Sequence, residues 1–132
     1  MYIPDGYGTV FPYMIVERAE ALTGFLRKVF GASVEGKTVF PDGRIANIRV
    51  RIGTSTFMIS QAGPGAMKAM PATYYIYVED VDRTFKTALA NGGRRIFEPA
   101  DMPYKDRQAG ITDPSGNAWW ISKRLVEEPY DA

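Results

Sequence analysis

Cysteine and histidine are both missing from this chain of 132 residues. Without cysteine there are no disulfides, no thiolate zinc sites and no cysteine nucleophile. Without histidine, the commonest general base and metal ligand of proteins is missing as well. A serine triad would need lysine or another unusual base, so the composition gives no support to a triad hydrolase. No catalytic residue is assigned from the sequence.

Long apolar runs and a strong net charge are missing too. No apolar stretch approaches the roughly 18 residues that a membrane span needs. Residues 1–8 (MYIPDGYG) show neither the basic nor the apolar region of a secretory signal. The formal net charge of +1 gives no field for nucleic acid or an anionic membrane. We therefore expect a single globular domain, 1–132, that is cytoplasmic and has no nucleic-acid or membrane partner.

What the chain does contain is an internal repeat. The segment YMIVERAEALTGFLRKVFGA, which begins at Tyr13, matches YIYVEDVDRTFKTALANGGR, which begins at Tyr75, at an offset of 62 positions (75 − 13). The same offset aligns residues 57–60 (FMIS) with residues 119–122 (WWIS). One ungapped register at both ends of two segments predicts two copies of one unit. The predicted parts are a first module at 9–61, a linker at 62–72, a second module at 73–123 and a C-terminal tail at 124–132.

Each module is predicted to contain one strand, one helix and three further strands. Apolar residues at helical spacing predict a helix over 19–30 that ends at Gly31. In the second module, Asp80 is the predicted N-cap of a helix over 81–91. The segment PDG at 41–43 predicts a hairpin turn. The predicted strands are 9–17, 33–40, 44–52 and 55–61 in the first module, and 73–79, 94–98, 106–112 and 117–123 in the second.

This order of elements, βαβββ twice over, resembles the vicinal oxygen chelate superfamily, the group of glyoxalase I, extradiol dioxygenases and bleomycin resistance proteins. A ferredoxin-like chain would have only two strands between its helices. The segments YIYVEDVDRTF…ALANGG and YKDRQAGITDPSGNAWWIS are similar to the PhnB-like branch of that superfamily. The resemblance implies an α+β fold in which eight strands form a curved cup. It also implies that the cup holds a small molecule.

The positions at which the resemblance implies metal ligands hold unsuitable side chains. Metal-using members take ligands from the first and last strands of each module, and these positions here are Phe11, Met58, Thr73 and Trp120. None is a competent ligand for a hard divalent cation. We therefore expect no metal and no cofactor. Trp120 is expected to be either a pocket wall or a core plug, and its neighbour Trp119 to lie in the core under the helix.

The same four residues are candidates for binding a ligand, together with aromatic and polar neighbours. Tyr13 and Tyr75 share the inward parity of Trp120 if the strand registers hold. Asn47 and Arg49 fall on the face of strand 44–52 that its apolar residues avoid, where they would serve an anionic or polar ligand. The alternative is that Arg49 lies at a solvated rim, as does Arg51, and pairs with acidic residues.

The segment KDRQAG provides the last candidate. Its Arg107 matches the arginine of a GDR element in the family, while Lys105 replaces the glycine usual there. Glu98, Asp101 and Asp106 are expected to be exposed loop carboxylates without a role in chemistry.

Two classes of function remain open at this level. One is a binding protein that shelters a small aromatic or polar anionic molecule, as the resemblance to bleomycin resistance proteins implies. The other is a lyase, isomerase or dioxygenase of the same superfamily with a relocated or absent metal. The missing histidines favour binding. A module that serves a partner protein is a third possibility.

We further expect a homodimer, because open sheet edges favour association. Met67, Met70 and the tail RLVEEPYDA are the candidate interface segments.

Overall fold

The computed structural model describes residues 1–65 and 67–131. Ala66 of the predicted linker and Ala132 of the predicted tail lie outside the described residues. The chain divides into two compact units, Met1–Pro71 and Ala72–Ala132, and the division falls inside the predicted linker. Neither helix in the described part of the chain is long and apolar enough to cross a membrane.

The first unit is a four-stranded sheet with one helix packed on one face. Strand β1 (Tyr13–Val16) is followed by helix α1 (Ala19–Phe30) and by strands β2 (Ser33–Val39), β3 (Ile45–Ile52) and β4 (Ser55–Gln61). The sheet order is β1-β4-β3-β2. Strand β1 runs parallel to β4, and the other neighbours are antiparallel.

The second unit repeats this arrangement. Strand β5 (Thr73–Tyr77) leads into helix α2 (Val81–Ala90) and then into strands β6 (Arg94–Asp101), β7 (Asp106–Thr112) and β8 (Ala118–Arg124). The order is β5-β8-β7-β6, again with a parallel first and last strand. The predicted α+β class, the two βαβββ modules and the total of eight strands are confirmed, and the strands form two four-stranded sheets.

The sequence repeat is also a repeat in strand pairing. Tyr13 lies opposite Met58 in the first sheet, and Tyr75 lies opposite Trp120 in the second. Both members of the second pair follow the first by 62 positions (75 − 13 and 120 − 58). In the first and last strands of each unit, the offset found in the sequence therefore identifies residues in equivalent places.

Local signals end the helices and turns where the sequence predicts. Helix α1 stops at Gly31, whose φ of 70° lies in the left-handed region and whose N–H donates to the carbonyl of Arg27. Helix α2 begins at Asp80, whose side chain accepts a hydrogen bond of 3.0 Å from the N–H of Arg83. Gly43, with a φ of 88°, closes the PDG turn.

Two strand predictions were wrong at their ends. The predicted strand 9–17 begins only at Tyr13, because Pro12 has no N–H to donate to a sheet and Val10 is 90% exposed. The predicted strand 94–98 extends to the end of β6, across two irregularities of register that a regular alternation of residues does not reveal.

The core of each unit lies between the helix and one face of the sheet. The residues predicted to pack there are each 4% exposed or less: Phe57, Ile59, Trp119 and Ile121. Burial of these large apolar side chains is the main source of stability that the described structure offers.

Candidate functional site

In each unit the sheet has a second face, opposite the helix, which we call the helix-free face. Cross-strand partners share a face, so Tyr13, Met58 and Arg49 lie side by side on the helix-free face of the first unit. By the same argument Tyr75 and Trp120 lie side by side on that of the second unit. These are the two places where the predicted ligand-binding residues come together.

Arg49 is the charged centre of the first helix-free face. Its Nη1 donates to Oδ1 of Asn47 at 2.9 Å and to Oγ1 of Thr38 at 3.4 Å. Asn47 in turn donates from Nδ2 to the sulfur of Met58 at 3.4 Å. None of the ion pairs in residues 1–65 and 67–131 includes Arg49 or Arg51. Among the described residues, these two arginines thus lack the ion pairs that the alternative expected.

The guanidinium of Arg49 rests over the backbone of Gly36 in strand β2. A Cβ atom added at Gly36 would lie 2.5 Å from Nη2 and 2.9 Å from Nε of Arg49. Any side chain at this position would have to displace the guanidinium. Gly36 thus leaves the space in which Arg49 lies across the sheet.

The aromatic residues of the first unit divide into two groups. Tyr13 is 54% exposed, and its hydroxyl lies 2.6 Å from Oγ of Ser60 on the helix-free face. Phe11, by contrast, precedes β1 and packs against Tyr7 with ring centroids 5.1 Å apart. The structure therefore brings Tyr13 to the Arg49 cluster by strand register but leaves Phe11 outside the sheet.

Trp120 is a half-buried ring on the helix-free face of the second unit. Phe97 meets it edge to face, with ring centroids 5.7 Å apart at 89°. Phe97 can lie there because Gly110 has no side chain. A Cβ atom at Gly110 would be only 2.5 Å from Cε1 of Phe97. Thr73 begins strand β5 and is exposed. Trp120 therefore fills volume against Phe97 while part of its ring remains accessible, so it combines features of both predicted roles.

Trp119, on the other face, is part of the core as predicted. It is 4% exposed, and its indole Nε1 donates to Oδ2 of Asp113 at 2.8 Å. The other carboxylate oxygen of Asp113 accepts the backbone N–H groups of Ser115 and Asn117. The stretch DPSGNAWW is thus a turn whose aspartate holds both the loop and the first tryptophan.

Arg107 lies on the helix side of its sheet, away from the other predicted binding residues. Its Nε and Nη2 donate to the two carboxylate oxygens of Asp82 in α2 at 2.7 and 2.8 Å, and Nη1 donates to Asp101 at 2.9 Å. Hydrogen bonds from Arg107 lower the pKa of Asp82. Since Ala109 and Ile111 share this face and are buried, strand alternation explains the position of Arg107.

Lys105 has a φ of 66°, and it is the single non-glycine residue with positive φ in the part of the chain that the structure describes. The backbone here adopts the conformation that glycine takes most easily, so Lys105 holds this turn with backbone strain.

Asp106 corrects the expectation of an exposed loop carboxylate. It is 0% exposed, begins strand β7, and lies opposite Arg124 on the helix-free face. Its Oδ2 accepts the hydroxyls of Tyr75 and, at 2.5 Å, of Tyr130, while Oδ1 accepts Nη1 of Arg124 at 3.1 Å. We call these four residues the Asp106 cluster. Glu98 and Asp101, the other two acids of that expectation, are exposed but belong to strand β6.

Protonation in the Asp106 cluster is set by these contacts. Burial acts to raise the pKa of Asp106, but hydrogen bonds from Tyr130, Tyr75 and Arg124 outweigh it and hold that pKa below its ordinary value. Burial and the hydrogen bond to Asp106 raise the pKa of both tyrosines. At neutral pH the cluster therefore holds an ionised carboxylate among protonated hydroxyls.

Alternation along DRQAG and SKR could have predicted that Asp106 and Arg124 share a face. No local pattern indicates that Tyr130 reaches back to cover them.

The four residues at which the resemblance implies metal ligands do not have the chemistry that a hard divalent cation needs. The rings of Phe11 and Trp120 offer no donor atom for a metal, the sulfur of Met58 accepts a hydrogen bond from Asn47, and Thr73 is exposed at the start of its strand. Within residues 1–65 and 67–131, no group of three acidic, cysteine or histidine side chains could hold a metal ion.

Comparisons with known proteins agree with the fold. A family model described as the Glyoxalase/Bleomycin resistance protein/Dioxygenase superfamily matches residues 9–121. An uncharacterized protein of Mycobacterium bovis is 27% identical over 130 residues, which cover 91% of this chain and 86% of that protein.

Two crystal structures have a similar fold. TioX from Micromonospora sp. ML1 gives a TM-score of 0.74 at 21% identity, covering 89% of this chain and 100% of that one. A glyoxalase-related enzyme from Fulvimarina pelagi gives 0.70 at 16% identity, covering 90% of this chain and 89% of that one. With the family model matching most of its length, the chain belongs to the glyoxalase/bleomycin resistance protein/dioxygenase superfamily, also called the vicinal oxygen chelate superfamily.

Proposed function

We propose that this protein binds a small aromatic or polar anionic molecule on the helix-free faces of its sheets, without a metal or other cofactor. The observation that carries the proposal is Arg49. Its guanidinium is half-buried and bonded to neutral groups, and no carboxylate of the described residues forms an ion pair with it. A partly desolvated cation of this kind costs free energy that an anionic ligand would recover.

The geometry around Arg49 suits a carboxylate or phosphonate. Only Nη1 is used in hydrogen bonds to the described residues, so Nε and Nη2 have no acceptor among them. That edge of the guanidinium lies over Gly36, so a bidentate contact requires the side chain of Arg49 to shift off the glycine. Tyr13 and Met58, next to it on the sheet, would contact the apolar part of a ligand.

The second helix-free face would supply aromatic surface under the same proposal. Trp120 and Tyr75 are neighbours there, and each offers part of a ring to a planar molecule. Thr73, at the start of β5, is a flanking candidate on this face. Phe11, which precedes β1 and packs against Tyr7, is a flanking candidate in the first unit. Arg107 is not included, because its donors are engaged by two carboxylates on the other face.

The chemistry of the Asp106 cluster supports binding over catalysis. A general base needs a pKa near the working pH, whereas the pKa of Asp106 is lowered and those of Tyr75 and Tyr130 are raised. Neither an acid nor a base in this cluster is matched to proton transfer near neutral pH. Turnover of a bound compound in the presence of a chelator would favour the alternative, a lyase, isomerase or dioxygenase without metal.

The test is a thermal-shift screen over aromatic acids, phosphonates and glycopeptide antibiotics, followed by calorimetric titration of the compounds that stabilise the protein. A ligand at about one hundred times its dissociation constant should add roughly 2.7 kcal/mol to the free energy of unfolding. In the Arg49→Ala variant, the affinity for an anionic compound should fall by about tenfold or more, since charge-assisted hydrogen bonds are lost.

The matched control is Arg51→Ala, which removes the same charge from the same face. Arg51 donates instead to Oγ1 of Thr56 at 3.1 Å, and its removal should change the affinity by less than about threefold. Trp120→Phe tests whether the second face binds a ligand of its own. Binding that Arg49→Ala leaves untouched would overturn the proposal.

Family branch, assembly and location form a second group of proposals. The segments similar to the PhnB-like branch support a place in that branch.

We also propose a cytoplasmic homodimer. Exposed Met67 and Met70 (58% and 48%) and Leu125 of the tail (45%) support an apolar interface. Sedimentation at micromolar concentration that gives only the mass of one chain, 14.7 kDa, would contradict the dimer.

A further inference from the structure

The C-terminal segment carries a tyrosine into the helix-free face of the second unit. Residues 125–131 form neither helix nor strand, and they return over the sheet so that Tyr130 reaches the buried Asp106. The segment is tied down at few places: the N–H of Leu125 donates to the carbonyl of Lys105, and Arg124 donates to the carbonyls at positions 128 and 129.

Neighbouring side chains contact the phenol group of Tyr130 at its hydroxyl and on the face of its ring. Its hydroxyl donates to Oδ2 of Asp106 at 2.5 Å and lies 2.5 Å from the hydroxyl of Tyr77. The guanidinium carbon of Arg124 lies 4.2 Å from the centroid of its ring, a cation–π contact. An acceptor and a donor thus contact the hydroxyl group of Tyr130, and a cation contacts its ring.

The other end of the ring is open. Tyr130 is 44% exposed, and a shallow cavity of about 630 Å³ lies beside it. The cavity is lined by residues 126–129 together with Tyr77, Arg124 and Tyr130. Asp106, by comparison, belongs to the sheet and is 0% exposed. The acceptor is therefore rigid and buried, while its aromatic partner stands on an irregular, exposed segment.

We propose that the place of Tyr130 is a binding site for a small phenolic molecule, and that Tyr130 is the chain's own competitor for it. A phenol would donate to Asp106, accept from Tyr77 and stack beneath Arg124 as Tyr130 does. The site lies within the second unit and uses none of the contacts of Arg49, so it does not rest on the anion site proposed above.

Competition by a tethered group sets the expected size of the effect. A group on a short flexible segment has an effective concentration of the order of millimolar, so it weakens a free phenol that competes for the same contacts. Removing the competing ring should raise the affinity for a free phenol by about tenfold or more.

The experiment is a fluorine NMR titration of the full chain with 4-fluorophenol, and with 4-fluoroanisole as the probe that cannot donate a hydrogen bond. In the Tyr130→Ala variant, 4-fluorophenol should bind about tenfold more tightly than in the wild type. Its affinity should exceed that of 4-fluoroanisole by a similar factor, because the methyl ether cannot donate the hydrogen bond to Asp106 that Tyr130 donates in the wild type. Tyr2→Ala, which removes a 93% exposed tyrosine elsewhere, should behave as the wild type.

Two further variants in the Tyr130→Ala background locate the site. Asp106→Asn should abolish the preference for the phenol over the anisole. If that variant does not fold, Tyr77→Phe provides the test. Tyr77 is 57% exposed, and in this arrangement its hydroxyl bonds only to the phenol. The substitution should weaken the binding of 4-fluorophenol several-fold. Equal affinities of the wild type and Tyr130→Ala, or equal affinities for phenol and anisole, would overturn the proposal.

Discussion

The two helix-free faces have the same strand register and opposite electrostatics. In the first unit, the pair Tyr13 and Met58 adjoins Arg49, a half-buried cation with neutral partners. In the second, the equivalent pair Tyr75 and Trp120 adjoins a buried carboxylate whose oxygens accept two hydroxyls and a guanidinium. One face thus has an unpaired charge, and the other has a charge that is fully bonded.

This difference shows that the repeat keeps the pairing of the first and last strands without keeping the chemistry of the side chains around them. At the offset of 62, Arg44 corresponds to Asp106 (106 − 62), and Ser60 corresponds to Ser122 (122 − 60). The hydroxyl of Tyr13 stops at Ser60, whereas that of Tyr75 extends past the equivalent serine to Asp106. The same scaffold therefore carries an arginine without an ion pair in one unit and a hydrogen-bonded carboxylate in the other.

The largest expected effect on stability comes from removing the charges that distinguish the two faces, Asp106 and Arg49. Asp106→Asn should lower the free energy of unfolding by about 3 kcal/mol, because Arg124 loses its buried counter-charge and the tyrosines lose a charged acceptor. Arg49→Gln should change it by less than about 0.5 kcal/mol, since no ion pair is broken. Urea unfolding at neutral pH, followed by circular dichroism, measures both; similar losses would mean that the faces do not differ in this way.

Acidic pH provides a second test of the role of Asp106 in stability. The pKa of Asp106 is lower in the folded protein than its ordinary value, so its stabilisation is fully present above the ordinary carboxyl pKa of about 3.9 and is lost as the pH falls through the lower value. The stability difference between the wild type and Asp106→Asn should therefore narrow below about pH 4. Thermal unfolding from neutral to acidic pH provides the measurement, and a constant difference would contradict the assigned network.

A smaller effect distinguishes the glycines that make room on each face. Gly110→Ala should cost about 2 kcal/mol, because the new Cβ would lie 2.5 Å from the packed ring of Phe97. Gly36→Ala meets the mobile end of Arg49 at the same 2.5 Å and should cost less than about 1 kcal/mol, since the guanidinium can swing aside. Thermal unfolding of the two variants compares them. A larger loss for Gly36→Ala would show that Arg49 is rigidly held.

The smallest effect concerns a turn that both units have, closed by Gly43 in the first unit and by Lys105 in the second. Lys105→Gly should raise the free energy of unfolding by about 0.5 kcal/mol, because relief of the positive φ slightly exceeds the added entropy of the unfolded chain. Lys105→Ala, which keeps the strain, is the control and should not stabilise the protein. Denaturant midpoints of the three proteins suffice for the test.

Patterns that depend on near neighbours could be predicted from the sequence. Helix α1 was predicted at its observed bounds because its apolar spacing and Gly31 are local signals. Alternation placed Arg49 and Asn47 on the face opposite the core for the same reason. Phe11 was misplaced within a strand because the effect of Pro12 on pairing was not weighed.

Contacts between distant residues could not be predicted. The burial of Asp106 depends on Tyr75 and Tyr130, which are 31 and 24 positions away in the sequence. The engagement of Arg107 by Asp82 in α2 likewise joins residues 25 positions apart, so the sequence did not separate Arg107 from the other binding candidates. The aromatic contact of Phe97 with Trp120 likewise depends on the missing side chain of Gly110.

The parallel pairing of the first and last strands has a kinetic consequence. Tyr13 meets Met58 and Tyr75 meets Trp120, each across 45 positions (58 − 13 and 120 − 75). Hairpins and helices close short loops and form within microseconds, whereas this pairing must close a loop that spans nearly its whole unit. Strands β1 and β5 should therefore join their sheets late, and substitutions there should accelerate unfolding more than they slow folding.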